Sequence, residues 1–250
     1  MKNIKFSVHF GLACCFIFIL MGCNQQKNND LWPIIDPLPL SIDIESQIDE
    51  MLPKLTLEQK VGQVIQGDSD SVTPEEVKEY RLGSVLSGGN SAPGPLPYAE
   101  TKNWLEMADK YYNASIDNEG VEIAIPIIWG IDAVHGHANL KGAIIFPHNI
   151  GLGAMNNPDL IEQIAGVTAH ELTISGHDWT FAPTLAVPKD LRWGRSYEGF
   201  SEDPDIVQSY GGRIVIGLQG KFGSDDFMSD GKVISSAKHF LADGATQNGA

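Results

Sequence analysis

The chain has little cysteine, and all of it lies near one end. Of 250 residues only three are cysteine, at positions 14, 15 and 23. Because the remainder of the sequence has none, we exclude a cysteine nucleophile, a disulfide framework and a zinc–thiolate site from its chemistry.

Basic residues are also scarce. The 17 lysines and arginines are outnumbered by 32 aspartates and glutamates, which gives a formal net charge of -15. A nucleic-acid partner is therefore not expected, since lysine and arginine are the residues that neutralise phosphates. The hydrophobic share of 42% and the charged share of 20% are ordinary for a globular protein.

The apolar run from Phe6 to Met21 is short. It does not reach the roughly 20 residues that a membrane-spanning helix requires. Lys2 and Lys5 precede it, as in a secretory signal peptide. The following Leu-Met-Gly-Cys, which ends at Cys23, resembles a bacterial lipobox, where the cysteine receives the lipid.

We therefore expect residues 1–22 to be a lipoprotein signal peptide, Cys23 to be the lipid attachment site and residues 23–40 to be a tether. The protein would be exported and held by its lipid anchor alone, on the periplasmic or cell-surface side of a bacterial membrane. An ordinary signal peptide with an incidental cysteine is the alternative.

From residue 41 onward, strand-like apolar segments alternate with helix signals. The helix signals are capping boxes at Thr56–Gln59 and Thr73–Glu76, Asn157-Pro158, Asp203-Pro204, and helical spacing over Ser41–Leu52 and Trp104–Tyr112. The predicted strands are Leu82–Ser87, Ile123–Gly130, Trp179–Ala182 and Val233–His239.

Two of these strands lead directly into polar, reactive residues. Ile123–Gly130, which we interpret as buried on both faces, is followed by Asp132, and the last strand ends in Lys238-His239. This design is typical of a parallel α/β barrel with its chemistry at the carboxyl ends of the strands. About four strand–helix units are visible where eight close a barrel. Residues 41–250 are therefore expected to form an incomplete (β/α)8-type barrel within a longer protein, with a complete, smaller α/β sheet as the alternative.

The chemistry of these polar residues stays open on spacing alone. Asp132 could be a general acid, a base, a metal ligand, a hydroxyl acceptor or only a helix cap. Lys238 and His239 favour a pocket over the core, because an unpaired buried ammonium is costly. Neighbouring strand residues normally face opposite ways, so both can line one pocket only if the backbone deviates locally.

Arg192, Arg195 and Glu198 flank Trp193 beyond the third predicted strand. Guanidinium groups offer paired donors that suit vicinal hydroxyls or a carboxylate, but the cluster could equally be a surface ion-pair network. His135 and His137 could bind a metal only with a third ligand, which the spacing does not supply, so neither a metal nor a cofactor is expected.

Taken in order, several motifs resemble glycoside hydrolase family 3, especially its β-glucosidase and exo-β-glucan glucohydrolase branch. They are Leu57–Gln63, Gly83–Gly89, Gly130–Gly136, Ile145–Gly153, Phe181–Pro183, Arg192–Glu198 and Ala237–Phe240. The resemblance implies that this region belongs to the barrel domain of a two-domain glycosidase.

The resemblance also implies roles for individual residues. Asp132, Arg195, Lys238 and His239 would bind the hydroxyls of a glucosyl unit, and Gly89 would line the same subsite. Arg192 and Glu198 would support them. A cis non-proline peptide would lie near Lys238-His239-Phe240.

The reaction implied is the retaining, exo-acting release of glucose from β-glucosides or β-linked glucose oligosaccharides. The nucleophilic aspartate and the acid/base glutamate would lie beyond Ala250, so residues 1–250 alone are expected to be inactive. The β-N-acetylglucosaminidase branch is disfavoured, because Leu241-Ala242 stand where its Pro-Gly would follow Phe240. A non-catalytic sugar-binding lipoprotein and a metal-dependent hydrolase remain as alternatives.

Overall fold

A computed structural model of the protein describes residues 40–249. Ile48 to the last described residue form one compact unit. The predicted signal peptide, Cys23 and nearly all of the tether lie outside the described residues. Within the described range, no helix has the length and apolar character needed to cross a bilayer.

The described part of the chain alternates helices with short strands. The strands are β1 Gln66–Asp68, β2 Ser84–Ser87, β3 Ile128–Ile131, β4 Trp179–Thr180 and β5 Ile234–Ser235. The helices are α1 Ile42–Met51, α2 Leu57–Gln63, α3 Pro74–Tyr80, α4 Thr101–Ile116, α5 Asn149–Met155, α6 Pro158–Thr173 and α7 Pro204–Gln219, with 3-10 turns at Leu52–Lys54 and Ser196–Glu198.

The five strands form one sheet in which every neighbouring pair is parallel and the order follows the sequence, β1-β2-β3-β4-β5. Sequential parallel strands joined by helices are the connection pattern of a (β/α) barrel. The predicted α/β class is confirmed. Because all strands run the same way, their carboxyl ends lie along one edge of the sheet.

Three details of the predicted strands are wrong. The last strand, predicted over Val233–His239, is strand only at Ile234–Ser235. β1 is absent from the predicted strands. β1 has the sequence Gln-Gly-Asp, which offers no apolar pattern, and its strand state comes from pairing with β2. The segment 123–127 is irregular and only β3 itself is strand. Pro126 lacks an N–H for a sheet hydrogen bond, and Ile128 is 40% exposed, so this run is not buried on both faces.

The predicted helix starts are confirmed. Thr56 with Gln59 and Thr73 with Glu76 form reciprocal capping boxes, and Asn157 and Asp203 accept hydrogen bonds at the starts of α6 and α7. Helix α5 was not predicted. Its N-cap is His148, whose ring accepts from the Asn149 backbone N–H, and histidine is outside the usual set of capping residues.

The main core lies between the sheet and the helices. Val85, Trp129 and Ile131 from β2 and β3 pack with Trp104 of α4 and Leu172 of α6, and all five are almost completely buried. The core thus holds β2 and β3 rigidly. The carboxyl ends of these strands can therefore present polar side chains in fixed positions.

Candidate functional site

The residues of the candidate site follow β3, β4 and β5 at their carboxyl ends. Asp132 comes directly after β3, and Lys238 lies three residues beyond β5. The pairing of the last two strands continues past their ends, because Lys238 N–H donates to the Pro183 carbonyl at 2.9 Å and the Lys238 carbonyl accepts from Leu185 N–H at 2.6 Å. This backbone pairing fixes the position at which the lysine side chain leaves the chain.

Asp132 and Lys238 form the first pair of the site. Lys238 Nζ donates to Asp132 Oδ1 across a sequence separation of 106 residues. The lysine side chain is 18% exposed and the aspartate side chain 39% exposed. The pair is therefore half-sheltered, with part of the carboxylate still open to solvent or a ligand.

Arg195 and Glu198 form the second pair. Arg195 Nε lies 2.8 Å from Glu198 Oε1 and Nη2 lies 2.5 Å from Oε2, a two-bond arrangement that fixes the guanidinium plane. The bond to Glu198 raises the pKa of Arg195. Burial would raise the pKa of Glu198, but the hydrogen bond from Arg195 and the charges of Arg195 and Lys238 outweigh it, and the pKa is lowered. Lys238 is thus near enough to act on both pairs.

His239 joins the second pair to a further carboxylate. Its Nε2 lies 3.3 Å from Arg195 Nη2, and its Nδ1 lies 2.6 Å from Asp243 Oδ2. The Lys238–His239 peptide is cis, as is Phe240–Leu241, so the predicted cis non-proline peptide is confirmed. Lys238 and His239, although adjacent in sequence, both contact the site.

The structure does not bring all the expected residues together. Gly89 lies two residues beyond β2, on the same edge of the sheet as Asp132. A Cβ added to Gly89 would meet only open space, and the Gly89 carbonyl accepts from the Asn139 side-chain amide. The Arg192 guanidinium bonds to Asp190 at 2.6 and 2.9 Å and to Asn248 at 3.0 Å. Among the described residues its partners are not those of the site, so the expected supporting role of Arg192 finds no contact here, whereas Glu198 does contact Arg195.

The His-x-His motif is split by the fold. The His135 ring packs against the His148 ring, with 4.2 Å between the ring centroids and a tilt of 36° between the planes. His137 is instead fully buried beside Ser175 and His177. Within residues 40–249, no group of three or more histidine, cysteine, aspartate or glutamate side chains is arranged to hold a metal ion.

Asp243 is the site residue that sequence reasoning missed. The spacing His239-x-x-x-Asp243 is the signal that could have drawn attention to it, but in a loop this spacing does not by itself predict contact. The His239–Asp243 pair depends on how residues 238–245 are held in three dimensions.

Comparisons with known proteins bear on the same region. A family model described as "Glycosyl hydrolase family 3 N terminal domain" matches residues 56–250. The lysosomal beta glucosidase of Dictyostelium discoideum is 32% identical over 214 residues, which is 78% of this chain and 25% of that protein.

Solved structures that resemble this chain also include glucanases and glucosidases. The exo-1,3/1,4-beta-glucanase from a Pseudoalteromonas species superposes with a TM-score of 0.81 at 48% identity, covering 85% of this chain and 26% of that one. A beta-glucosidase from Listeria innocua in complex with glucose superposes with a TM-score of 0.62 at 25% identity, covering 81% of this chain and 28% of that one. The chain spans about a quarter of the length of these relatives. It belongs to glycosyl hydrolase family 3, and residues 56–250 correspond to the N-terminal domain of that family.

Proposed function

We propose that the protein to which these residues belong is an exo-acting β-glucosidase. The cluster formed by Asp132, Lys238, Arg195 and His239 binds the terminal glucosyl unit of its substrate. The observation that carries the proposal is the meeting of an acceptor, Asp132, with the donor Lys238, close to the Arg195–His239 contact. A sugar ring presents neighbouring hydroxyls that each donate and accept. A pocket wall that combines carboxylate, ammonium, guanidinium and imidazole satisfies both demands.

The carboxylates of the cluster suit binding better than bond cleavage. Asp132 is held by Lys238, Glu198 by Arg195 and Asp243 by His239. A general acid in a glycosidase needs a raised pKa, whereas the pKa of Glu198 is lowered by its ion pair. We therefore assign the nucleophile and the acid/base of a retaining mechanism to carboxyl groups outside this site.

The full-length protein tests the proposal. We expect it to hydrolyse an aryl β-glucoside but not the α-anomer. Proton NMR should show β-glucose as the first product, because two successive inversions at the anomeric carbon restore the β configuration. Glucose binding without turnover would favour a non-catalytic sugar-binding protein. Initial release of α-glucose would contradict the retaining mechanism.

We also propose that the protein is exported and anchored through lipid on Cys23, on the strength of the lipobox-like sequence. In a bacterial host, a labelled fatty acid should be incorporated into the wild-type protein but not into Cys23→Ser, and the wild type should sediment with membranes. Equal labelling of both proteins would contradict this assignment.

A further inference from the structure

The imidazole of His239 lies between a group that can only accept and a group that can only donate. Its Nδ1 faces Asp243 Oδ2 at 2.6 Å, and its Nε2 faces Arg195 Nη2 at 3.3 Å. An ionised carboxylate has no hydrogen to donate, and a guanidinium has no lone pair with which to accept. These two neighbours therefore assign opposite roles to the two ring nitrogens.

Both contacts of the His239 ring can be hydrogen bonds in only one protonation state of that ring. Nδ1 must carry the hydrogen that is donated to Asp243, and Nε2 must keep its lone pair toward Arg195. We propose that Asp243 is a positioning residue that holds His239 in the neutral Nδ1–H tautomer and so turns an accepting Nε2 toward the sugar-binding side. This inference rests on the proposed function for its meaning, but the tautomer itself does not depend on any substrate.

The loop that carries Asp243 is fixed to the rest of the domain. The Asp243 carbonyl accepts from Val187 N–H at 3.3 Å, and the Gly244 carbonyl accepts from Lys189 N–H at 3.0 Å. Gly244 has a φ of 82°, and a Cβ there would lie 3.1 Å from both Pro188 and Trp193. The Asp243 side chain is 18% exposed. Backbone hydrogen bonds at Asp243 and at the residue after it thus hold the carboxylate in place.

The assigned tautomer has a consequence for recognition. His239 Nε2 and Arg195 Nη2 lie 3.3 Å apart, so a sugar oxygen must replace their direct contact and move the two side chains apart. In that position the oxygen must donate to Nε2 and accept from the guanidinium. A free hydroxyl does both, whereas an ether oxygen or a fluorine cannot donate. The pair therefore selects for a free sugar hydroxyl at this position, and Asp243 sets that selection without touching the sugar.

Histidine NMR on the full-length protein tests the proposal. With 15N-labelled histidine, two-bond proton–nitrogen spectra at neutral pH should show His239 as the Nδ1–H tautomer in the wild type, with His239→Asn providing the assignment. In Asp243→Asn the amide can present a donor as well as an acceptor. Only the longer contact with Arg195, at 3.3 Å, then still disfavours a hydrogen on Nε2. The Nε2–H fraction of His239 should therefore rise above its wild-type level, and kcat/KM for an aryl β-glucoside should fall roughly tenfold to a hundredfold.

Asp190→Asn is the matched control. Asp190 also binds a neighbouring side chain, Arg192, and its side chain is 17% exposed. Its replacement should leave the His239 spectrum unchanged. Asp243→Glu keeps an obligatory acceptor and should retain the Nδ1–H tautomer.

Three results decide the matter. A wild-type His239 that is protonated on Nε2 or on both nitrogens would overturn the proposal, even if the Asn variant failed to fold. An unchanged tautomer and unchanged kcat/KM in Asp243→Asn would also overturn it. If the full-length protein does not hydrolyse β-glucosides, the proposed function fails, while a tautomer change in Asp243→Asn still supports the role of Asp243.

Discussion

Replacing Lys238 with methionine in the full-length protein should lower kcat/KM for an aryl β-glucoside by roughly 30- to 150-fold, or about 2–3 kcal/mol. The change removes the ammonium that binds Asp132 and leaves a half-sheltered carboxylate without its partner. We expect the lower part of the range known for broken charge pairs, because the Asp132 side chain is 39% exposed and water can partly replace the lysine. Steady-state kinetics provide the measurement.

Lys232→Met is the matched control for this change. Lys232 pairs with Asp226 at 3.3 Å, and its side chain is 17% exposed, close to the 18% of Lys238. It lies before β5, away from the carboxyl ends of the strands. The control should therefore keep its kcat/KM within a few-fold of wild type. Equal losses in the two variants would mean that general stability, and not sugar binding, explains the effect.

Acidification from pH 7 to pH 4 should destabilise the fold by about 3 kcal/mol through His137 alone. Burial lowers the pKa of His137 from its ordinary 6.5 to about 4. The unfolded chain takes up a proton on this residue below pH 6.5, while the folded chain resists it. Stability from this group is therefore complete above pH 6.5 and is lost progressively as the pH falls toward 4. Burial also places the pKa of His177 well below its ordinary value, so this residue adds to the loss below pH 6.5 and extends it to lower pH.

The hydrogen bonds around Ser175 explain why His137 and His177 resist protonation in the folded protein. Its single hydroxyl hydrogen is shared between the backbone carbonyls of Glu171 and Leu172. The Ser175 oxygen therefore accepts from His137 Nε2 and His177 Nδ1, each at 3.0 Å. The remaining nitrogens, His137 Nδ1 and His177 Nε2, are buried without a partner among residues 40–249. A second proton on either ring would place an N–H in the core with no acceptor.

Urea unfolding of the purified protein across this pH range measures the effect. His137→Gln keeps an N–H donor near the Nε2 position but cannot titrate, so its stability should depend less steeply on pH between 6.5 and 4. His170 is exposed on α6, and His170→Gln should keep the wild-type slope. A wild-type slope in His137→Gln would show that the core histidines do not control acid stability.

Local patterns in the sequence predicted local structure well. The capping boxes at Thr56 and Thr73 depend on residues three apart, and both form as expected. β1 could not be predicted, because Gln-Gly-Asp becomes a strand only through pairing with β2. The apolar composition of residues 123–127 predicts a strand, but Pro126 has no N–H for a sheet hydrogen bond and only Ile128–Ile131 is strand.

The site residues likewise include some that local sequence patterns predict and others that depend on the three-dimensional path of the chain. The apolar strands predicted that Asp132 and Lys238 would stand at strand ends, but only the resemblance to a family suggested that residues 106 apart would meet. Asp243 and the separation of Arg192 from the cluster arise from the path of two loops, which neither periodicity nor spacing encodes.

A crystal structure of the full-length protein with glucose bound tests the central proposal most directly. We predict one glucose at the carboxyl edge of the sheet, with Asp132, Lys238, Arg195 and His239 all within hydrogen-bonding distance of its hydroxyls. Glucose bound elsewhere, with these four side chains still bonded only to one another and to Glu198 and Asp243, would contradict the proposed sugar site.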